Sequence, residues 1–186
     1  MKILSESFYA RDPRIVAREL LGKILVYGKC KGKIVETEAY LGKDDPGAIG
    51  NRRVKNIPKA LLCPPGHTFV YFTYGNHWMF NVIAKRGRLG AVLIRAVEPI
   101  EGREVMQKNR NAELKNLTNG PGKFTQAFGI NKSLNCAKLD RKDFCILDSK
   151  EKPNIETAKR IGIPKDLPEN LRFYIRGNTF VSKYGR

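Results

Sequence analysis

Three runs rich in aromatic and β-branched residues, Thr68–Thr73, Trp78–Ala84 and Ala91–Val97, crowd the middle of the chain and read as strands. Two more extended runs precede them. Lys23–Tyr27 and Lys33–Tyr40 are joined by the Gly28-Lys-Cys-Lys-Gly32 turn and suit a hairpin. Helices are few. Asp12-Pro13 reads as an N-cap followed by proline in the first turn, with Ile15, Val16, Leu20 and Leu21 as the apolar stripe and Gly22 as the stop. Further helices are expected over Glu98–Lys108, around Phe124–Phe128 and near Ile155–Arg160, with a last strand at Leu171–Ile175. Runs of strands with helices at the periphery point to an α+β fold: one domain over residues 1–186, built on a mostly antiparallel, curved sheet.

The charge balance narrows the partners. Thirty-five Lys and Arg against eighteen Asp and Glu give a formal net charge of +17. A chain this basic meets a polyanion, and nucleic acid is the commonest; a merely basic surface or an anionic membrane is the alternative. The sequence has no signal-peptide pattern at its start, and its longest aliphatic run is Ala91-Val92-Leu93-Ile94, far too short to span a bilayer. The cysteines Cys30, Cys63, Cys136 and Cys145 form no Cys-x-x-Cys pair, and the histidines are His67 and His77 alone. That spacing argues against zinc, and a cytoplasmic chain is expected to keep its thiols reduced.

Three segments could carry chemistry. In Ile34-Val-Glu-Thr-Glu-Ala-Tyr40 a strand places Glu36, Glu38 and Tyr40 on one face, and Val35, Thr37 and Ala39 on the other. This is either a solvated edge or a carboxylate beside an aromatic platform. In Phe69–Trp78, Phe69, Tyr71 and Thr73 alternate with Val70, Phe72 and Tyr74, so one set can face a pocket while the other packs. Such rings serve as sheet core or as stacking surfaces for bases, and periodicity does not choose between them. Asn119-Gly-Pro-Gly-Lys123 is either a tight turn before a helix or a set of backbone N–H groups able to hold a phosphate. The polar stretch Lys43–Pro65 is longer than a plain connector.

Taken in order, Val35–Gly42, Pro65-Gly66 with Phe69–Tyr71 and Tyr74-Gly75, Asn81, Leu93–Pro99, Asn119–Lys123 with Ile130–Ser133, and Leu171–Gly177 resemble the alkyladenine (3-methyladenine) DNA glycosylases. The resemblance runs from about Gly22 to Ser182. It implies a monofunctional base-excision enzyme that flips an alkylated purine out of double-stranded DNA and hydrolyses its bond to the sugar, without cofactor or metal. It also implies a cytoplasmic monomer, gathered at the nucleoid through its DNA.

Position by position, the resemblance makes Glu38 the general base, with Glu36 the alternative on the same face, and Arg95 the cation that helps hold the attacking water and keeps Glu38 ionised. Tyr40 and Tyr71 sandwich the extruded base, and Asn81 excludes the exocyclic amino group of guanine. Tyr74 is the wedge that fills the duplex, with Asn76 beside it, while Gly122, Lys123 and Lys132 contact the DNA backbone. One position departs from the family. Where a histidine usually completes the pocket, nine residues after Tyr40, this chain has Ile49. Lesion range is the property this alters: neutral hypoxanthine, which must gain a proton to leave, suffers most. The other readings are a weakened homologue that only binds damaged DNA, and a basic RNA-binding domain.

Overall fold

A computed structural model of the protein describes residues 1–43, 45–48, 59–73, 75–85 and 89–183. Among these residues nine strands form one curled antiparallel sheet: β1 (Ile24–Tyr27), β2 (Cys30–Tyr40), β3 (Thr68–Thr73), β4 (His77–Ile83), β5 (Ala91–Glu101), β6 (Asp140–Arg141), β7 (Phe144–Leu147), β8 (Ile155–Ala158) and β9 (Arg172–Ile175). The order is β3-β4-β5-β2-β1-β7-β6, with β9 paired to the far half of β2 and β8 to β9. The long β2 is therefore the centre: β5 lies along one side, β1 and β9 share the other. The helices are α1 (Glu6–Tyr9), α2 (Pro13–Leu20), α3 (Arg103–Asn109), α4 (Leu114–Leu117) and α5 (Pro121–Phe128). This is the expected α+β domain.

Local chemistry explains the elements that position the site. Asp12 caps α2 by accepting from the Arg14 N–H at 2.9 Å, with Pro13 at the first helical position. Val16, Ala17 and Leu20 turn inward, and the Thr37 hydroxyl donates to the Ala17 carbonyl at 2.8 Å, tying α2 to the inner face of β2. On the other flank α5 packs on β4 through Phe124 against Phe80, edge to face at 6.1 Å, and through the Thr125 hydroxyl donating to the Trp78 carbonyl. The hairpin between β1 and β2 closes at Tyr27↔Cys30, so its turn is Gly28-Lys29 rather than the longer stretch expected.

Four expectations are corrected. Ile155–Ala158 is a strand, not a helix: its residues pair with β9 from Ile155↔Ile175 to Ala158↔Arg172, and a free sheet edge outweighs the helical reading of a four-residue segment. The helix expected from Glu98 begins only at Arg103, because β5 continues to Glu101 and Gly102, at φ 77°, makes the break. Pro99 is tolerated there because β4 pairs only with Ala91–Leu93, leaving that end of β5 one-sided. Ile15 is 47% exposed and stands outside the apolar stripe of α2. Finally, Cys63 and Cys136 are joined in a disulfide rather than reduced; the fold brings their Cα atoms to 6.0 Å across 73 residues, a proximity that sequence spacing cannot reveal. Cys30 and Cys145 are free and buried. Among the described residues no helix is long and apolar enough to cross a membrane.

Candidate active site

At the centre of the sheet, Glu36 and Glu38 are both fully buried, which excludes the solvated-edge reading of this strand. The strand on one side supplies Arg95. It falls at an irregularity in the β2–β5 ladder, between the pairs Thr37↔Ile94 and Glu36↔Ala96, where a bulge re-aims a side chain. Its guanidinium reaches both carboxylates: Nε donates to Glu36 Oε1 at 2.9 Å, and Nη1 lies 3.2 Å from Glu38 Oε1.

The two carboxylates are otherwise differently treated. Glu36 is saturated: it also accepts from Arg172 Nη1 at 3.1 Å, from the Ser182 amide at 2.7 Å and from the Ser182 hydroxyl at 2.8 Å. It anchors β2, β5, β9 and the segment after β9 to one another. Glu38 accepts from the Ile161 amide at 2.8 Å and from the Tyr40 hydroxyl at 2.9 Å. Burial pushes its carboxyl up from the ordinary value, while Arg95, the Ile161 amide and the Tyr40 hydroxyl pull it down and Glu36 adds to the rise; the net direction is upward. Arg95 acts on Glu38 in the expected direction, but the cation opposes a larger desolvation effect. Burial likewise works against the Arg95 cation, but Glu38 and Glu36 more than offset it.

Glu38 stands behind the wall of a cavity of about 410 Å³, the size of a small-ligand pocket. Its neighbours Tyr40, Arg95 and Ile161 line that cavity, with Phe69, Tyr71 and Asn81. Of the two alternating sets on β3, Phe69 and Tyr71 face it and stack on each other at 5.0 Å, while Val70 is in the core. Phe72 also reaches it, but is 51% exposed and leans on Trp78. Asn81 is buried and donates to the Phe69 carbonyl at 3.1 Å, which fixes its amide. Gly42, at φ 89°, packs so closely that a Cβ would lie 2.0 Å from the Leu89 carbonyl oxygen; only glycine permits the two lining segments to touch there.

The remaining sequence-derived positions lie at the margin. Gly122 is buried, and a Cβ there would meet the His77 ring at 2.6 Å, so its immediate role is to seat α5 on β4. Lys123 is half-buried and donates to Asn119 Oδ1 at 2.9 Å; burial and the nearby Arg110 lower its pKa. Asn76 and Lys132 are exposed. Ile49 and Tyr74 lie outside the described residues.

Sequence reasoning missed one group entirely. Arg160, with Asp45 and Asp166, sits behind Tyr40, and Ile161 supplies the amide on Glu38. The one local signal was Gly162, a turn residue at φ 75° just past the segment Ile155–Arg160 expected to be helical.

A buried carboxylate behind an aromatic-walled cavity, with an arginine in the wall, on a strongly basic α+β domain, are features of a hydrolase that works on nucleic acid bases. The chain belongs to the methylpurine-DNA glycosylase family, a family of DNA-repair enzymes, whose sequence model matches residues 7–179. It is 45% identical to a protein of Clostridium acetobutylicum named "Putative 3-methyladenine DNA glycosylase", over 98% of each chain. Proteins with the same name from Desulfitobacterium hafniense (43% identity, 98% of this chain and 99% of the relative) and Prosthecochloris aestuarii (43%, 95% and 89%) are similar to it along comparable lengths.

Proposed function

We propose that this chain removes alkylated purines, of the 3-methyladenine type, from double-stranded DNA by hydrolysis, leaving an abasic site. The observation that carries the reading is the position of Glu38, a buried carboxylate paired with Arg95 immediately behind a cavity walled by Tyr40, Phe69 and Tyr71. Flat aromatic walls suit an extruded purine, and an N-alkylated purine, being cationic, binds favourably over a π face.

In the proposed reaction a water held between Glu38 and Arg95 attacks the anomeric carbon. The new C–O bond forms as the bond to the purine nitrogen breaks, the bonding pair leaves with the purine and neutralises its charge, and the proton of the water passes to Glu38. The carboxylate also stabilises the oxocarbenium character that develops on the sugar. A raised pKa serves a base well, because it brings proton affinity closer to the working pH. Asn81 screens the purine edge. Tyr74 fills the vacated stack with Asn76 beside it, and Gly122, Lys123 and Lys132 meet the DNA backbone, a role the net charge of +17 favours. The protein acts as a monomer, without cofactor or metal.

The test is direct. A duplex methylated with dimethyl sulfate is incubated with the protein and then treated with alkali. Alkali-labile breaks at methylated purines, absent without protein, support the reading. Binding without breaks would identify a damage-binding homologue instead, and no preference for methylated DNA would favour a basic domain for another nucleic acid.

A further inference from the structure

We propose that Asp45, Arg160 and Asp166 form a buried latch that positions Tyr40 and Glu38 together, making Arg160 a positioning residue for the base-excision reaction proposed above, on which this inference rests. The Arg160 side chain is fully buried although it is a cation. Its fork grips Asp45 twice, Nη1 to Oδ2 at 2.6 Å and Nη2 to Oδ1 at 2.7 Å; Nη1 also donates to the Ala39 carbonyl at 3.0 Å, and Nε donates to Asp166 Oδ1 at 3.0 Å. Asp45 in turn accepts from the amides of Leu41 and Gly47, and Asp166 from those of Arg160 and Leu167. Three segments distant in sequence, the end of β2, residues 45–48 and residues 159–167, are thereby fixed to one planar group.

Two consequences reach the site. The guanidinium carbon lies 4.6 Å from the centroid of the Tyr40 ring, so one ring face is backed by the latch. Tyr40 lines the cavity and Arg160 does not, so the guanidinium backs the ring from outside the cavity. The residue after Arg160 is Ile161, whose amide donates to Glu38, and Ile161, Gly162 and Ile163 form part of the cavity wall. A shift of Arg160 therefore moves an aromatic wall and a hydrogen bond on the carboxylate at once. Gly47 shows how tightly the latch is closed: a Cβ there would lie 2.6 Å from Arg160 Nη2 and 2.9 Å from Ile163 Cγ2.

Stability alone gives a weak reason for such a group. Buried ion pairs replaced by well-packed apolar side chains are often neutral or better, so a fixed fork under an active-site ring is better explained by geometry than by energy.

The experiment measures single-turnover release of methylated purine from dimethyl sulfate-treated duplex against pH, with wild type, Arg160→Met, Arg160→Lys and Asp166→Asn, and with folded fraction determined for each. The groups around Glu38 are Glu36 and Tyr40 on β2, Arg95 on β5 and the Ile161 amide. Of these, the latch variants release the amide, which lowers the Glu38 pKa. Arg160→Met is expected to slow release about tenfold or more per folded molecule, and to move the acidic limb of the profile to higher pH by about half to one unit. Arg160→Lys, which keeps charge but loses the fork, is expected to stay impaired, and Asp166→Asn to shift the limb less in the same direction. If Arg160→Met does not fold, Asp166→Asn decides. An unmoved limb in folded variants, with losses that track folded fraction alone, overturns the latch. Absence of release by wild type overturns the proposed function first and the latch with it, a result visible before any latch variant is made.

Discussion

Arg95 binds two carboxylates through different atoms: Nε to Glu36 at 2.9 Å and Nη1 to Glu38 at 3.2 Å. The pairing divides the work between them. Glu36 has its hydrogen-bonding capacity taken up by Arg95, Arg172 and Ser182, whereas Glu38 is held by groups that line the cavity.

Glu36→Gln should therefore cost stability before chemistry. It removes the buried charge that Arg172 and Arg95 share, leaving Arg95 with Glu38 alone, and breaking a buried pair typically costs about 3–5 kcal/mol. Urea denaturation should show that loss, with release per folded molecule reduced less than in Glu38→Gln. A variant as stable as wild type would mean that Glu36 is not the anchor its contacts describe.

Glu38 carries the opposite signature in stability. Its pKa is raised on folding, chiefly by burial, so the protonated form favours the fold and wild-type stability falls as pH rises from about 4.5 through the raised value. Glu38→Gln lacks this titration. Its Tm relative to wild type should become more favourable as pH increases across that window. Tm differences that stay constant with pH would contradict the upward shift.

Much of this was legible in advance, and what was not has physical causes. Glu36, Glu38 and Tyr40 share a face because strand alternation has a period of two, and the Tyr40–Glu38 hydrogen bond follows from it. The central strands β3, β4 and β5 were readable because their β-branched and aromatic residues agree with their setting. Burial of both carboxylates was not readable, since it depends on Arg95, Ile161, Arg172 and Ser182, all distant in sequence, meeting them. The Ile161–Glu38 contact spans 123 residues and the Cys63–Cys136 bond 73, and neither leaves a local pattern. Ile155–Ala158 misled because a four-residue segment takes the structure its neighbour offers.

On the proposed function, Tyr74 separates duplex from single-strand chemistry. If it fills the gap left by an extruded base, Tyr74→Ala should slow release from duplex far more than from single strands, where no stack is replaced. Comparable losses on both substrates would assign the ring a packing role.

On the same proposal, Ile49 bears on lesion range. Base–aromatic stacking is worth roughly 1–3 kcal/mol, which corresponds to about one to two decades of rate when expressed in the transition state. Alkylated purines already leave readily, whereas hypoxanthine does not. The natural chain should release methylated purines and little hypoxanthine, and Ile49→His should raise hypoxanthine release more than alkylpurine release. Robust hypoxanthine release by the natural chain would show that another residue supplies what the usual histidine does.

The central claim is that Glu38 acts as the base that hydrolyses the bond between a methylated purine and its sugar. Single-turnover release of free methylated base from dimethyl sulfate-treated duplex, measured for wild type and Glu38→Gln at equal lesion-duplex occupancy, tests it most directly. Glu38→Gln should bind the duplex and release base at least ~10² more slowly. Release within a few-fold of wild type, with binding intact, would contradict the assignment.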